Sequence, residues 1–384
     1  MQEFPDVGTH VPEISAAELK TRIDAGESVT VLDTRRPADF EIWHISGPNV
    51  RSVNVPFTEF LDGDDPAGTV PEAVPEGPLV TCCAEGISSL FVAEFLAREG
   101  REVEALADGM EGWARLYEAT ELDVAGPTVL QYHRPSSGCL GYMIVSGGEA
   151  AVVDPLRAFA DRYVADAREL GAELAYAIDT HVHADHVSGV REVADLAGAG
   201  PVVPSGATER GLAFDARLVE DGDTLEVGEH RVEAVGLPGH TSEMTGYRVG
   251  EVLLTGDTLF IESVARPDLE DGAGGAPDAA RTLFDTLEAV FELPDGTVVA
   301  PGHTSGGEEP APDGTYTRRL EELREPLSLP ADREAFVERI LSDMPPRPSN
   351  FETIIATNLG REALTDDDAF EAELGPNNCA ASAD

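Results

Sequence analysis

The sequence predicts a two-domain protein of the α/β and α+β classes, and three observations predict it. A length of 384 residues exceeds one ordinary domain. The first third alternates short apolar strands with helices, which implies a small parallel sheet covered by helices. A Pro/Gly-containing connection near Ala125-Gly-Pro127 then leads into a segment that begins with strands and carries histidines at several strand ends. The division assigns residues 1–120 to the first domain and 121–384 to the second.

In the first domain, Ser15-Ala-Ala-Glu18 is a capping-box pattern that opens a helix through about Ala25. Val29–Asp33 and Pro78–Cys82 are short apolar runs that read as buried strands. A Gly-containing turn and a helix from Ser89, stopped near Gly100, follow the second, and Glu102–Leu106 is a third strand. In the second domain, Val129–His133, Tyr142–Ser146 and Ala150–Asp154 are β-rich runs separated by turns. Helical periodicity runs from about Arg157 to Leu170, and strands follow at Ala175–Ile178, Arg231–Leu237, Val252–Thr255 and Thr297–Ala300. The stretch after about Tyr316 reads as helical and ends in an acidic tail.

Composition narrows the function classes. Hydrophobic residues are 42% and charged residues 26%, as in a chain with a real core. The balance of sign is unusual, with Lys+Arg 26 against Asp+Glu 73 and a formal net charge of -47. Disorder would require low hydrophobicity as well, which is absent. Lys20 is the single lysine. This self-repulsion is best tolerated in a very salty cytoplasm, and it repels nucleic-acid phosphate. The start, Met1-Gln-Glu-Phe-Pro-Asp6, has neither the basic nor the apolar region of a signal peptide. No apolar stretch has bilayer length, so the expectation is a cytoplasmic protein with no membrane partner. Cys82, Cys83, Cys139 and Cys379 do not form a disulfide framework, and the chain reads as reduced. Cys139 reads as a core or loop thiol, and Cys379 either touches the sulfur chemistry or, the plainer reading, is a tail residue without a role.

Six of the nine histidines lie after residue 180. His181, His183, Asp185 and His186 directly follow a strand, and His240, Asp257 and His303 each follow another. Loops at strand ends converge on one edge of a sheet, so these residues can meet. Imidazole and carboxylate donors suit zinc, iron or manganese, and the lack of a Cys ligand disfavours a purely structural zinc finger.

His181-Val-His-Ala-Asp-His186, followed in order by Gly239-His240, Gly256-Asp257 and Gly302-His303, resembles the metallo-β-lactamase superfamily over about residues 125–384. The resemblance implies an αββα sandwich with metal at its edge. Glyoxalase II-like thioesterases of that family use all seven residues for two metals, zinc among them. Persulfide dioxygenases hold one Fe(II) with two histidines and one aspartate, which here are His181, His240 and Asp257. His183, Asp185, His186 and His303 then line the pocket or hold a second ion. Asp257-Thr-Leu-Phe-Ile261 followed by Ala265-Arg-Pro-Asp268 resembles the dioxygenase branch, in which an arginine at the place of Arg266 approaches the thiol; a structural ion pair is the plainer role. Ala265 and Leu269 replace the Gly and aromatic usual there, and Ser305 stands where a tyrosine is expected, so glutathione need not be the thiol. Arg347 and Asn350 either face that pocket or pin the C-terminal helices.

Cys83-Ala-Glu-Gly-Ile-Ser-Ser89 joins a strand to a helix, and the amides of such a turn stabilise an anion on the cysteine sulfur. Cys83 is the nucleophile of this reading, with Ala84, Glu85, Gly86, Ile87, Ser88 and Ser89 as the cradle; Cys82 belongs to the strand. Together with Asp33-Thr-Arg35, Phe40-Glu41, His44-Ile-Ser-Gly47 and Gly109-Met-Glu-Gly-Trp113, the segment resembles a rhodanese domain over about residues 11–118. The resemblance implies a parallel sheet with helices on both faces and a persulfide carried on the cysteine. Ala84 and Ser88 replace the usual loop arginines and Glu85 adds negative charge, which disfavours thiosulfate as donor.

The combined expectation is a persulfide dioxygenase with one Fe(II) per chain, acting on a low-molecular-weight thiol persulfide and O₂, with Cys83 handling sulfane sulfur. A zinc-dependent thioester hydrolase and a non-catalytic sulfur carrier or sensor are the alternatives. The oligomeric state, monomer or homo-oligomer, is open. The charge balance itself makes a prediction. Raising KCl from about 0.1 M to 1 M shortens the screening length from about 10 Å to about 3 Å. The thermal midpoint is therefore expected to rise steeply with KCl, and a midpoint independent of salt would refute the reading of the charge.

Overall fold

Alternation in the first strands already builds two cores. In Val29–Asp33, Val29 and Val31 face one side while Leu32 faces the other. The structure, a computed structural model, describes residues 8–62, 65–66, 68–304, 308–330, 332–342, 344–348, 350–375 and 379. The amino-terminal hexapeptide, Ser305 and most of the acidic tail lie outside the described residues. The chain divides into two compact units, residues 1–116 with 134–137, and residues 117–133 with 138–384.

The first unit is a five-stranded sheet in the order Glu13–Ile14, Val103–Leu106, Leu79–Cys82, Val29–Asp33, Val50–Asn54, parallel throughout. The helix Ile87–Arg98 packs Phe91, Phe95 and Leu96 on one face with Leu32, Leu79 and Val103. On the other face Leu19, from the helix Ala16–Asp24, and Met110 and Trp113, from Gly109–Ala114, pack with Val31, Val80 and Cys82. Ser15 caps the first helix with the expected reciprocal bonds to Glu18. The parallel sheet with helices on both faces is as the sequence implies.

The second unit has a seven-stranded sheet, Arg217–Val219, Gly200–Pro204, Glu173–Ile178, Glu149–Val153, Cys139–Ser146, Thr128–Arg134, Glu118–Glu121. A six-stranded sheet runs Thr224–Val227, His230–Gly236, Thr245–Val249, Val252–Gly256, Val298–Pro301, Arg318–Arg319. Their inner faces share one core, with Tyr142, Val153 and Ile178 from one sheet and Val232, Tyr247 and Leu254 from the other. The helices Ala160–Glu169 and Val190–Ala197 cover the first sheet, and Gly272–Phe291 and Arg333–Ser342 cover the second. This is the helix–sheet–sheet–helix sandwich.

Several elements escaped the sequence reading, including the strands Val50–Asn54, Gly200–Pro204 and Thr245–Val249. The longest helix, Gly272–Phe291, escaped too. It starts in Gly272-Ala-Gly-Gly-Ala-Pro277, residues that weaken a helical signal, and is held by burial of Leu283, Phe284 and Leu287. No helix among the described residues is long and apolar enough to cross a membrane.

Close packing of this helix explains Gly239, which has φ +138°. A Cβ there would lie 2.5 Å from Cα and Cβ of Leu283. Gly239→Ala is expected to cost about 1–3 kcal/mol from overpacking alone and to displace His240. Urea unfolding together with metal titration checks this; wild-type values in both would contradict it.

Candidate metal centre

The direction of the strands brings the polar residues together. Glu149–Val153 and Glu173–Ile178 are parallel, and their chains continue into Asp154 and into Asp179–His186 at one edge. Val252–Gly256 and Val298–Pro301 are also parallel and continue into Asp257 and His303. Cys139–Ser146 runs antiparallel to Glu149–Val153, so its first residue lies at the same edge, and Cys139 bridges to His303.

His181, His240 and Asp257 form one buried group. Nε2 of His181 and Nε2 of His240 are each 3.8 Å from Asp257 Oδ2. His181 Nε2 and Asp257 Oδ2 are buried without a hydrogen-bond partner, which is costly unless a cation takes them. The other ring nitrogens are engaged. His240 Nδ1–H donates to the Arg266 carbonyl at 2.9 Å. The Thr180 hydroxyl donates to Asp154 Oδ2 at 2.9 Å and so accepts from His181 Nδ1, also at 2.9 Å. Both bonds put the proton on Nδ1 and leave the Nε2 lone pair for a metal. Burial, with neighbouring histidines, holds His181 well below the usual imidazole value, and burial lowers His240. Burial alone would raise Asp257, but the charge and hydrogen bond of His303 hold it below the usual carboxylate range. Two neutral imidazoles and one carboxylate fit a divalent first-row metal.

The remaining candidates are arranged differently. His183 Nε2 lies 3.0 Å from Asp154 Oδ1, and the two group with Asp179 rather than with His181. Asp154 holds φ +50°, a strained value for a non-glycine residue, while taking Thr180 N–H as well. Burial raises Asp179 to about 6, against the lowering effect of His183. Asp185 Oδ2 lies 3.1 Å from His186 Nδ1 and 3.0 Å from His303 Nε2, while His303 Nδ1 is 2.6 Å from Asp257 Oδ1. Burial opposes charge at both rings, yet Asp185 lifts His186, and Asp257 with Asp185 lifts His303, well above the usual value. Asn358, from the helix Phe351–Asn358, donates to the carbonyls of His183 and His186 and so fixes the ligand loop.

Five placements sharpen or correct the sequence reading. Arg266 is buried, its guanidinium paired with Asp268 and bonded to the carbonyls of Pro345 and Pro346, which is the plainer role. Arg347 also pairs with Asp268, and Asn350 donates to the Ala372 carbonyl, so both pin the C-terminal segment. Cys139 is not an isolated core thiol: it groups with Asp185, His186 and His303. Cys379 is buried within the group Asp257, His303, Cys379, and its carbonyl accepts from Arg266 N–H.

In the first unit Cys83 is 4% exposed and directly follows the strand Leu79–Cys82, ahead of the helix Ile87–Arg98. Ser89 Oγ donates to the Gly86 carbonyl at 3.1 Å and lies 3.3 Å from Cys83 Sγ, and Gly86 turns the chain with φ +83°. The first amides of that helix have no partner within it and lie on the loop side. Met110 and Glu111 N–H bond the carbonyls of Cys83 and Ala84. A Cβ on Gly109 would come within 2.3 Å of the Cys83 carbonyl, so the loop needs glycine there. Cys82 points into the core, its sulfur 3.9 Å from that of Met110. His44 stacks on Phe40 and bonds its carbonyl, a structural role.

A two-sheet sandwich with buried imidazoles and carboxylates at one edge, in a chain that also carries a parallel-sheet unit with a cysteine loop, points to a class of metal-binding proteins. Residues 135–303 match the metallo-beta-lactamase superfamily and residues 15–116 the rhodanese-like domain. The chain is 30% identical over 195 residues to the mitochondrial persulfide dioxygenase ETHE1 of Mus musculus, covering 49% of this chain and 73% of that one. It spans 60% of the length of the Bos taurus counterpart, with 32% identity over 162 residues and 41% of this chain covered. It is 30% identical over 182 residues to the hydroxyacylglutathione hydrolase of Rhodospirillum rubrum, covering 47% of this chain and 65% of that one. The crystal structure of ETHE1 from Myxococcus xanthus superposes with a TM-score of 0.53 at 28% identity, covering 60% of this chain and 98% of that one. The chain belongs to the metallo-beta-lactamase superfamily and carries a rhodanese-like domain.

The Asp154–Thr180–His181 relay is testable. Thr180→Val removes the acceptor that orients His181 and is expected to weaken metal binding about 10–100-fold. Competition with a chromophoric chelator measures it, and unchanged affinity would remove the relay from the account.

Proposed function

We propose that the chain is a persulfide dioxygenase with a sulfane-sulfur carrier on the same polypeptide. His181, His240 and Asp257 hold one Fe(II) per chain in this reading. Bound there, iron supplies the redox chemistry between O₂ and a persulfide sulfur. The overall reaction takes a low-molecular-weight persulfide, O₂ and water to the thiol, sulfite and two protons. The terminal sulfur loses the electrons that O₂ gains, and the S–S bond breaks.

One observation carries the choice over a hydrolase. Asp257 divides its oxygens, Oδ2 toward His181 and His240, and Oδ1 to His303 Nδ1 at 2.6 Å. A single ion at His181, His240 and Asp257 Oδ2 leaves Oδ1 to that hydrogen bond, which is the arrangement a one-iron centre expects. The Arg266 backbone holds His240, and its ion pair with Asp268 fixes that backbone. On Cys83 the proposed persulfide is held by Ser89 Oγ and the loop amides. Glu85 disfavours anionic donors at the loop. The net charge of -47 supports a salty cytoplasm as the setting.

The test compares iron-loaded and zinc-loaded protein. Iron-loaded protein with glutathione persulfide is expected to consume one O₂ per sulfite formed, and Asp257→Ala to abolish uptake with the fold intact. Thioester cleavage by the zinc form without O₂ uptake by the iron form would establish the hydrolase instead. Sulfur transfer from Cys83 unaffected by Asp257→Ala, with no O₂ uptake in wild type, would favour the carrier.

A further inference from the structure

Leu140-Gly-Tyr142 and Thr245-Gly-Tyr247 occupy matching places in the two sheets of the sandwich. The first lies at the start of the strand Cys139–Ser146 and the second at the start of Thr245–Val249. Each reaches the loop that leaves the opposite sheet with a histidine. Leu140 N–H donates to the Gly302 carbonyl at 2.7 Å, and Thr245 N–H donates to the Thr180 carbonyl at 2.9 Å. Two residues further along each strand, the Tyr142 hydroxyl donates to the Pro301 carbonyl at 2.7 Å, and the Tyr247 hydroxyl to the Asp179 carbonyl at 3.2 Å. Pro301 and Gly302 immediately precede His303, as Asp179 and Thr180 precede His181. The same pair of bonds is thus made twice, once from each sheet.

Both phenols sit in the apolar core between the sheets, 1% and 0% exposed. Phenylalanine would fill the same space, and a hydroxyl at that depth costs free energy unless it is bonded. Burial pushes both phenols up, so they keep the protons that they donate. Gln131 Nε2 donates to the Tyr142 hydroxyl at 3.0 Å, which directs that proton to Pro301. The glycines let neighbouring backbone come close. A Cβ would lie 2.8 Å from the Asp154 carbonyl oxygen on Gly141, and 2.7 Å from that of Leu254 on Gly246.

We infer that Tyr142 and Tyr247 are positioning residues for the metal centre: each phenol, from one sheet, sets the histidine presented by the other. The two rings meet opposite oxygens of Asp257, His303 Nδ1 at 2.6 Å from Oδ1 and His181 Nε2 at 3.8 Å from Oδ2. A small shift of either loop therefore alters the donor set that a metal finds. The inference rests on His181, His240 and Asp257 holding a metal, and not on the reaction performed there.

Tyr142→Phe and Tyr247→Phe are each expected to weaken zinc binding about tenfold, measured by chelator competition on the metal-free, reduced full-length chain. Without metal, Tyr142→Phe is expected to shift the imidazole N–H proton resonance of His303, and Tyr247→Phe that of His181. Tyr132→Phe removes an equally buried hydroxyl that bonds Asp166 instead. It is expected to keep wild-type affinity and both resonances. Wild-type affinity and resonances in either of the first two variants would overturn that tyrosine's role, and equal losses in Tyr132→Phe would overturn both. Wild type supplies a measurement that needs no variant to fold. The slowly exchanging phenolic proton resonances of Tyr142 and Tyr247 are expected to shift on zinc binding, and unmoved resonances would overturn the inference. Failure of the dioxygenase reading would appear separately, as absent O₂ uptake by iron-loaded protein whose metal affinity still depends on both hydroxyls.

Discussion

The Asp257 carboxylate is the constraint on which the candidate metal centre depends. It is fully buried, with one oxygen bonded to His303 and the other facing two imidazole nitrogens. An unpaired carboxylate at that depth would cost several kcal/mol. The surroundings therefore supply the His303 ring on one side and, on the other, two imidazole nitrogens that a cation would join to the carboxylate. The backbone is shaped to the same end: Gly256 before it has φ +48°, and a Cβ on Gly302 would lie 2.5 Å from Asp257 Oδ1. The parallel pairing of Val252–Gly256 with Val298–Pro301 sets that closeness, so the sheet register and the ion site are one constraint.

Around this carboxylate the candidate ligands are held by backbone and hydroxyl groups more than by each other. His240 leans on the Arg266 carbonyl, and His181 on Thr180 and through it Asp154. The loop bearing His183 and His186 leans on Asn358 from the C-terminal helices. The outer helical layer is thus part of the site. Its residues set tautomer and orientation, which decide whether a buried imidazole can ligate at all.

How much of this was legible follows from the range of each interaction. The ligand run His181–His186 and the Gly-His and Gly-Asp turns are local patterns, and they led to the right edge of the right fold. Apolar strands such as Val29–Asp33 and the Ser15 cap were legible for the same reason. Cys139 was not, because its place depends on strand direction: only antiparallel pairing with Glu149–Val153 carries it to the ligand edge. Thr180 and Asp154 look like ordinary strand-end residues until the hydrogen bonds are seen. Asn358 is 172 residues from the carbonyl of His186 that it holds. The helix Gly272–Phe291 was hidden by its Gly-rich start, where tertiary burial overrides propensity. Arg266 shows the converse: its identity suggested a substrate contact, and its surroundings give it an ion pair.

The cysteine loop and the charge of the chain bear on one another. Carboxylates far outnumber basic groups across the whole protein, so a long-range field would repel every anionic thiol from both units. In concentrated salt that field decays within about 3 Å, and only charges in contact with a reactant still discriminate. Glu85 is such a charge, exposed on the loop between Cys83 and the helix. The acidic surface then governs solubility and stability, while the choice of sulfur donor rests on a few groups at the loop. Exchanging Glu85 for arginine changes that local charge by two and leaves the overall balance nearly as it was. Under the proposed function, donor selectivity and salt tolerance would therefore be separable, set by different residues.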